Sequence, residues 1–236
     1  MRQRLFAIGA CVWICGATLS AQEAAAPTVD TGDTAFVLVS AALVMLMTPG
    51  LAFFYGGMDR SKNVLGMLMQ SYIAVAVISL QWILWGYSLG FGPGSSLIGS
   101  LDWLGLSGVG VEPNADYAAT IPHQAFMVYQ GMFAVITPAL ITGAIADRMK
   151  FKTYLVFLVL WATLVYDPVA HWVWGVGGML RNMGALDFAG GTVVHISSGV
   201  SALVAAMVLG RRRGFPNSAM PPHNLPLTLL GTGILW

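Results

Sequence analysis

Five apolar runs, each long enough to cross a hydrocarbon core of about 30 Å, dominate this chain: Thr34 to Tyr55, Val64 to Gly86, Ile121 to Ala146, Phe151 to Trp172 and Thr192 to Gly210. Inside a bilayer no water satisfies the backbone, so a spanning run must close its own hydrogen bonds as a helix. A sixth run opens near Asn224 and holds only about a dozen residues at Trp236, too few to cross. The chain therefore reads as an all-α polytopic membrane protein, with five complete spans and the start of a sixth, and is expected to be a fragment of a longer protein.

Charged residues make up 9% of the sequence and hydrophobic ones 57%, against roughly 25% and 45–50% in a soluble domain. The formal net charge is +1 and the eleven Lys and Arg are scattered, which leaves no basic patch for nucleic acid. The first residues have the layout of a secretory signal peptide: Arg2 and Arg4, an apolar core from Leu5 to Ala17, then Ser20 and Ala21 near a cleavage point. Residues 1–21 are thus assigned to the signal peptide and 22–236 to the transmembrane domain. Both cysteines, Cys11 and Cys15, fall in the part removed, so no disulfide framework is built from the rest.

Orientation follows from the basic residues, which favour short cytoplasmic loops. Arg60 and Lys62 lie between the first two spans, Arg148, Lys150 and Lys152 between the third and fourth, and Arg211, Arg212 and Arg213 after the fifth. These eight of the eleven basic residues occupy alternate loops, which puts the mature N-terminus outside, as a signal peptide also requires. The expected location is the cell inner (plasma) membrane. An odd number of spans lets a following repeat insert with opposite topology around a midplane site, although the five spans themselves show no tandem repeat.

Pro49, Pro138 and Pro168 interrupt the spans, and such breaks survive only where protein covers the freed backbone groups. Span five carries Ser197, Ser201 and Ala205 beside Ser198, Ala202 and Ala206, small residues that permit close helix contact. It is expected to be a central helix.

The most informative stretch runs from Asp187 to His195, Asp-Phe-Ala-Gly-Gly-Thr-Val-Val-His. Asp187 is placed to cap the start of span five, and a role in attracting a cation stands beside that reading. Counted from this cap at 1.5 Å per residue, His195 lies about 12 Å down the helix, near mid-membrane. An ionisable group at that depth faces protein or a water-filled path and is a functional candidate; a hydrogen-bonded structural histidine is the alternative. Gly190 and Gly191 are read as aids to close packing. Phe133 and Trp174 are candidates for cation–π contact with a small cation, set against ordinary packing and interfacial anchoring. His171, near the outer boundary, is read as a ligand, a sensor or a hydrogen-bonded interface residue, and Asp167 as a carboxylate reaching interface water or a neighbouring donor. Loop solvation accounts for His123 and His223. No nucleotide-binding glycine loop, metalloprotease helix motif or serine-nucleophile turn is present in a workable context, so no enzyme, cofactor or metal site is expected.

Thr48 to Gly57, Ala170 to Gly175, Gly184 to His195 and the loop Pro222 to Pro226 resemble motifs of the ammonium transporter family, the Amt/Mep/Rh group, over essentially everything after the signal peptide. The resemblance implies an eleven-span protomer, a homotrimer, and a pore in each protomer between two five-span repeats of opposite topology, of which this chain supplies the first. By the same resemblance Phe133 is the outer-gate aromatic, Trp174 lines the outer recruitment site, Asp187 is the acid below it and His195 is the first of two pore histidines. The implied substrate is ammonium or ammonia, with methylammonium as analogue. In the family pattern the second gate phenylalanine, the recruiting serine and the second pore histidine fall beyond Trp236. A P-II type signalling protein is a partner of the full-length protein only.

Three other readings remain open on the residues: an ammonium sensor on the same fold, a membrane haem protein with His171 and His195 as axial ligands, and a structural subunit. N-terminal sequencing of the mature protein checks the first boundary, with a new terminus expected at Gln22; an intact Met1 would show an uncleaved anchor instead.

Overall fold

The computed structural model describes residues 28–236; the signal-peptide assignment lies outside them. Five helices are long and apolar enough to cross a membrane: Thr31–Met58, Ser61–Phe91, His123–Ile145, Phe151–Asn182 and Gly191–Leu209. All five expected spans are present, and the second and fourth run further than their apolar runs. Their C-terminal extensions, Tyr87–Phe91 and Val173–Asn182, carry aromatic, Gly and polar residues, which dilute the hydropathy signal.

In chain order, α1 is Thr31–Met58 and α2 is Val64–Gln81, continued through a π-helical turn at Trp82–Gly86 into α3, Tyr87–Phe91. The long outer loop that follows forms two short antiparallel strands, β1 (Pro113–Asn114) and β2 (Ala118–Pro122). They add a minor β element to a fold expected to be all helical. Then come α4 (His123–Ile145), α5 (Phe151–Trp161), a π turn at Ala162–Tyr166, α6 (Asp167–Trp174) and α7 (Met179–Asn182). A third π turn, Gly191–Ile196, leads into α8 (Ser197–Leu209), and α9 (Leu225–Leu235) is the start of the sixth span.

Among the spans of this chain the most enclosed is α4. Of its most apolar window 61% is buried, against 22% for the fifth span. It packs against α1, α2 and α8, while α1 also packs on α9 and α3 on α6. The small residues of α8 do work as close contacts on one side: Ser198 is buried, and Ser201 Oγ accepts the Trp161 indole N–H at 2.8 Å. Ile196, Val200, Leu203, Val204 and Met207 leave its other side exposed. In lipid there is no hydrophobic drive between helices, so contact depends on fit and on buried hydrogen bonds. The α1–α9 crossing shows the first: a Cβ on Gly231 would collide with the backbone of Phe54 and Gly50.

The second and fourth spans show the other device. Gln81, last residue of α2, donates through Nε2 to Asp167 Oδ2 at 2.7 Å, and Trp85 Nε1 donates to Thr163 Oγ1 at 2.9 Å. The Trp85–Thr163 link joins one π turn to the other, and the Gln81–Asp167 link joins the residues that flank them. Asp167 is fully enclosed, so its donor is protein and not interface water.

The basic loops converge on one end. Arg60 pairs with Asp147, Arg148 Nη1 donates to Gly210 O at 2.6 Å, and Arg212 Nη2 lies 3.5 Å from Gly143 O. Burial pushes the Arg148 guanidinium below its ordinary pKa, Arg212 acts in the same sense, and Asp147 opposes them.

Removing the amide with Gln81→Leu leaves the Asp167 carboxyl buried without its donor, at an expected cost of roughly 1–3 kcal/mol. Thermal unfolding of the intact protein in detergent reads this as a lower midpoint; an unchanged midpoint would show that the pair adds no stability.

Candidate functional site

Asp187 organises the site. Its Oδ1 accepts from Gly191 N at 2.7 Å, and its Oδ2 accepts from Thr192 N at 2.8 Å and Val193 N at 3.0 Å. The carboxylate therefore takes three of the free amides at the positive end of the fifth span. The helix itself begins only at Gly191, with Gly190 at the cap position, three residues later than a count from an Asp187 cap supposes. Residues 185–190 ahead of it are irregular backbone that lines a cavity, which a bilayer tolerates where protein or a cavity receives it. Gly190 makes the turn, with φ +78°, and a Cβ there would come within 2.7 Å of Val194 Cγ2. Its glycine answers a backbone demand, whereas Gly191 has space around it.

Trp174, the last residue of α6, is fixed at two points. Its indole N–H donates to Asp187 O at 2.7 Å, and its own carbonyl accepts from Arg181 Nη1 at 2.7 Å. Its ring meets Phe133 in a T-shaped contact, 6.2 Å between centroids, and stacks on Phe91 at 6.5 Å. Tyr129 stands edge-on to Phe133 at 5.0 Å. Together these rings wall a cavity of about 430 Å³ at the end opposite the basic loops, the end expected to be the outer one, and Asp187 also lines it.

Below it lies a second chamber of about 300 Å³, lined by Val44, Met47 and Leu51 of α1, Leu140 of α4 and Leu235 of α9. His195 is its single ionisable lining residue, and Phe133 lines both this chamber and the outer cavity. Nδ1 of His195 faces Gly190 O at 3.1 Å. A carbonyl only accepts, so this contact places the proton on Nδ1 and leaves Nε2 as the free acceptor. Leu140 also lines a third cavity of about 520 Å³ at the basic end, beside Asp59 and Arg212. Phe133 and Leu140 lie seven residues apart on α4, about two turns along one face.

The structure thus brings Phe133, Trp174, Asp187 and His195 into one connected region. Sequence reading missed several residues of the outer wall: Phe91, Phe126, Tyr117 and Arg181. Tyr117 comes from a loop, Arg181 from the short α7 and Phe91 from the far end of a span, where no periodicity marks them. The Tyr117 hydroxyl donates to Phe91 O at 2.5 Å and accepts from Val176 N at 3.0 Å. Burial raises its pKa, while the Val176 N–H and Arg181 act to lower it and Asp116 to raise it, so the donor is kept.

Two histidines are placed differently from their loop and interface readings. His123 is buried, and its Nε2 lies 2.6 Å from the Tyr87 hydroxyl, because the outer loop folds Trp103 over it. His171 is fully enclosed, with Nδ1 3.2 Å from Gly90 O and Nε2 2.7 Å from Ser95 O. Both nitrogens face backbone carbonyl oxygens within 3.2 Å, which leaves no room at either for haem iron and counts against that reading.

Five crossing helices around an aromatic outer cavity and an apolar chamber with one histidine define a polytopic membrane protein with a site in its interior. Residues 35–236 match the family model described as the Ammonium Transporter Family. An ammonium transporter of Bacillus subtilis (strain 168) is 58% identical over 205 residues, which is 87% of this chain and 50% of the relative. Among solved structures, Saccharomyces cerevisiae Mep2 superposes with a TM-score of 0.79 at 40% identity, covering 88% of this chain and 48% of that one. A structure named Sensor Amt Protein superposes at 0.78 with 29% identity, covering 86% and 52%. This chain belongs to the ammonium transporter family. It spans about half the length of the relatives it matches.

Replacing the cap with Asp187→Ala strands three amides, with an expected loss of roughly 1–3 kcal/mol; Asp187→Asn should lose less. Gly190→Ala should cost about 1–2 kcal/mol from its left-handed backbone alone. Unfolding midpoints of the intact protein measure all three. Equal midpoints for wild type and Asp187→Ala would remove Asp187 from its organising position.

Proposed function

We propose that the intact protein carries ammonium across the cell inner membrane, mature N-terminus outside, as NH4+ that gives up its proton and crosses as NH3. The observation that carries this reading is Phe133, whose ring separates an aromatic outer cavity from an apolar chamber with His195 as its single ionisable lining residue. An isolated ammonium ion entering that chamber would face a desolvation penalty of tens of kcal/mol, on a Born estimate at ε about 4. Neutral ammonia would not. The faces of Phe133 and Trp174 suit a cation that is shedding water, each worth about 0.5–2 kcal/mol, and the free Nε2 of His195 suits acceptance or relay of its proton. Asp187 serves first as the cap, and its negative charge beside the cavity favours a cation there. Potassium has no proton to surrender and is refused.

The second half of the pore, a homotrimer and a P-II type regulatory partner belong to this proposal for the full-length protein. An ammonium sensor is the second reading, supported by the likeness to the Sensor Amt Protein structure. Uptake of labelled methylammonium by transporter-deficient cells expressing the full-length protein separates the two. We expect saturable uptake in wild type and its loss in His195→Leu at equal membrane abundance. No uptake in wild type would move the sensor reading ahead.

A further inference from the structure

The outer cavity already contains a cation of the protein's own. Among the described residues Arg181, at the end of α7, is the one basic residue lining it, with Asp116 and Asp187 as the lining acids. Its guanidinium lies 5.8 Å from the Tyr117 ring centroid, the geometry a small cation adopts against an aromatic face. Its bonds go to carbonyl oxygens: Trp174 O at 2.7 Å and Asp116 O at 3.5 Å. Among the described residues the one ion pair is Arg60 with Asp147, so no carboxylate oxygen lies within 4.0 Å of the Arg181 guanidinium. The Asp187 carboxylate is committed to three helix amides. The lining residues thus sum to one negative charge, and would sum to two without Arg181.

We propose that Arg181 sets the cation affinity of the outer cavity: its fixed positive charge raises the concentration of ammonium, or of a similar small organic cation, needed to fill the site. A site on a transport path must bind strongly enough to admit the ion and weakly enough to release it. A cavity with so many aromatic faces and two acids needs a counterweight, and Arg181 supplies it. Two unit charges about 8 Å apart at an effective dielectric of 40–80 interact enough to change affinity by about two- to sixfold. This inference rests on the cation-binding part of the proposed function.

The test is direct binding of methylammonium to the purified intact protein, read by tryptophan fluorescence at low and high salt, for wild type, Arg181→Lys, Arg181→Gln and Arg181→Glu. We expect Kd close to wild type in the Lys variant, about two- to sixfold lower in Gln and lower still in Glu, with the differences shrinking as salt screens the charge. If Kd rises in Gln and Glu, or ignores charge altogether, Arg181 is only the tether of the Trp174 carbonyl and the proposal is overturned. A fold defect shows itself by weakening the Lys variant as well. Absence of saturable binding in wild type would overturn this inference together with the cation site. Binding that follows charge in a protein without uptake would leave it standing and defeat only the transport reading.

Discussion

The Asp187 carboxylate and the amides of Gly191, Thr192 and Val193 form the contact on which the rest of the site depends. A helix start inside a membrane exposes free N–H groups that lipid cannot satisfy, and a carboxylate facing the positive helix end meets that need. Because Asp187 precedes the helix by a short irregular segment, the same contact fixes how far the backbone descends before the span begins. Trp174 is attached to the Asp187 carbonyl, and His195 bonds back to Gly190. One residue thereby sets the position of the outer aromatic wall and of the inner histidine.

A second constraint shapes the bundle around it. Three spans widen into π turns, at Trp82–Gly86, Ala162–Tyr166 and Gly191–Ile196, and π turns gather where side chains are re-aimed for function. Two of them face each other through Gln81, Asp167, Trp85 and Thr163, a polar cross-link within otherwise apolar packing. The third carries His195. His171 serves the same end at the outer boundary, holding the carbonyls of Gly90 and Ser95 and so tying the end of α3 and the loop after it to α6.

The readable part of the site was the part governed by local rules. Asp187 ahead of two glycines and a histidine reads as a cap followed by a titratable group on the span, because both readings depend on spacing along one segment. Phe133 and Trp174 rested on family resemblance, since an aromatic in a span reads as packing until its neighbours are known. Arg181 and Tyr117 looked like loop residues, and His123 like a solvated one, because burial of a loop is decided by what folds over it. Within this half-length chain α4 is the more enclosed helix and α8 keeps one side open: small residues show that one side of a helix can approach another closely, and are silent on how many neighbours surround it.

By itself the sequence determined five membrane crossings, the alternation of basic and acidic loops and the residues able to cap a buried helix, because hydrophobic length, charge and capping act over a few turns of chain. Only the tertiary structure decided that α4 is the most enclosed span of this chain, that Phe133 borders two cavities, that Gln81 meets Asp167 and that a guanidinium rests on the vestibule wall. Those facts depend on residues brought together from distant segments, as Gln81 and Asp167 are, and no periodicity in one segment encodes the register of another.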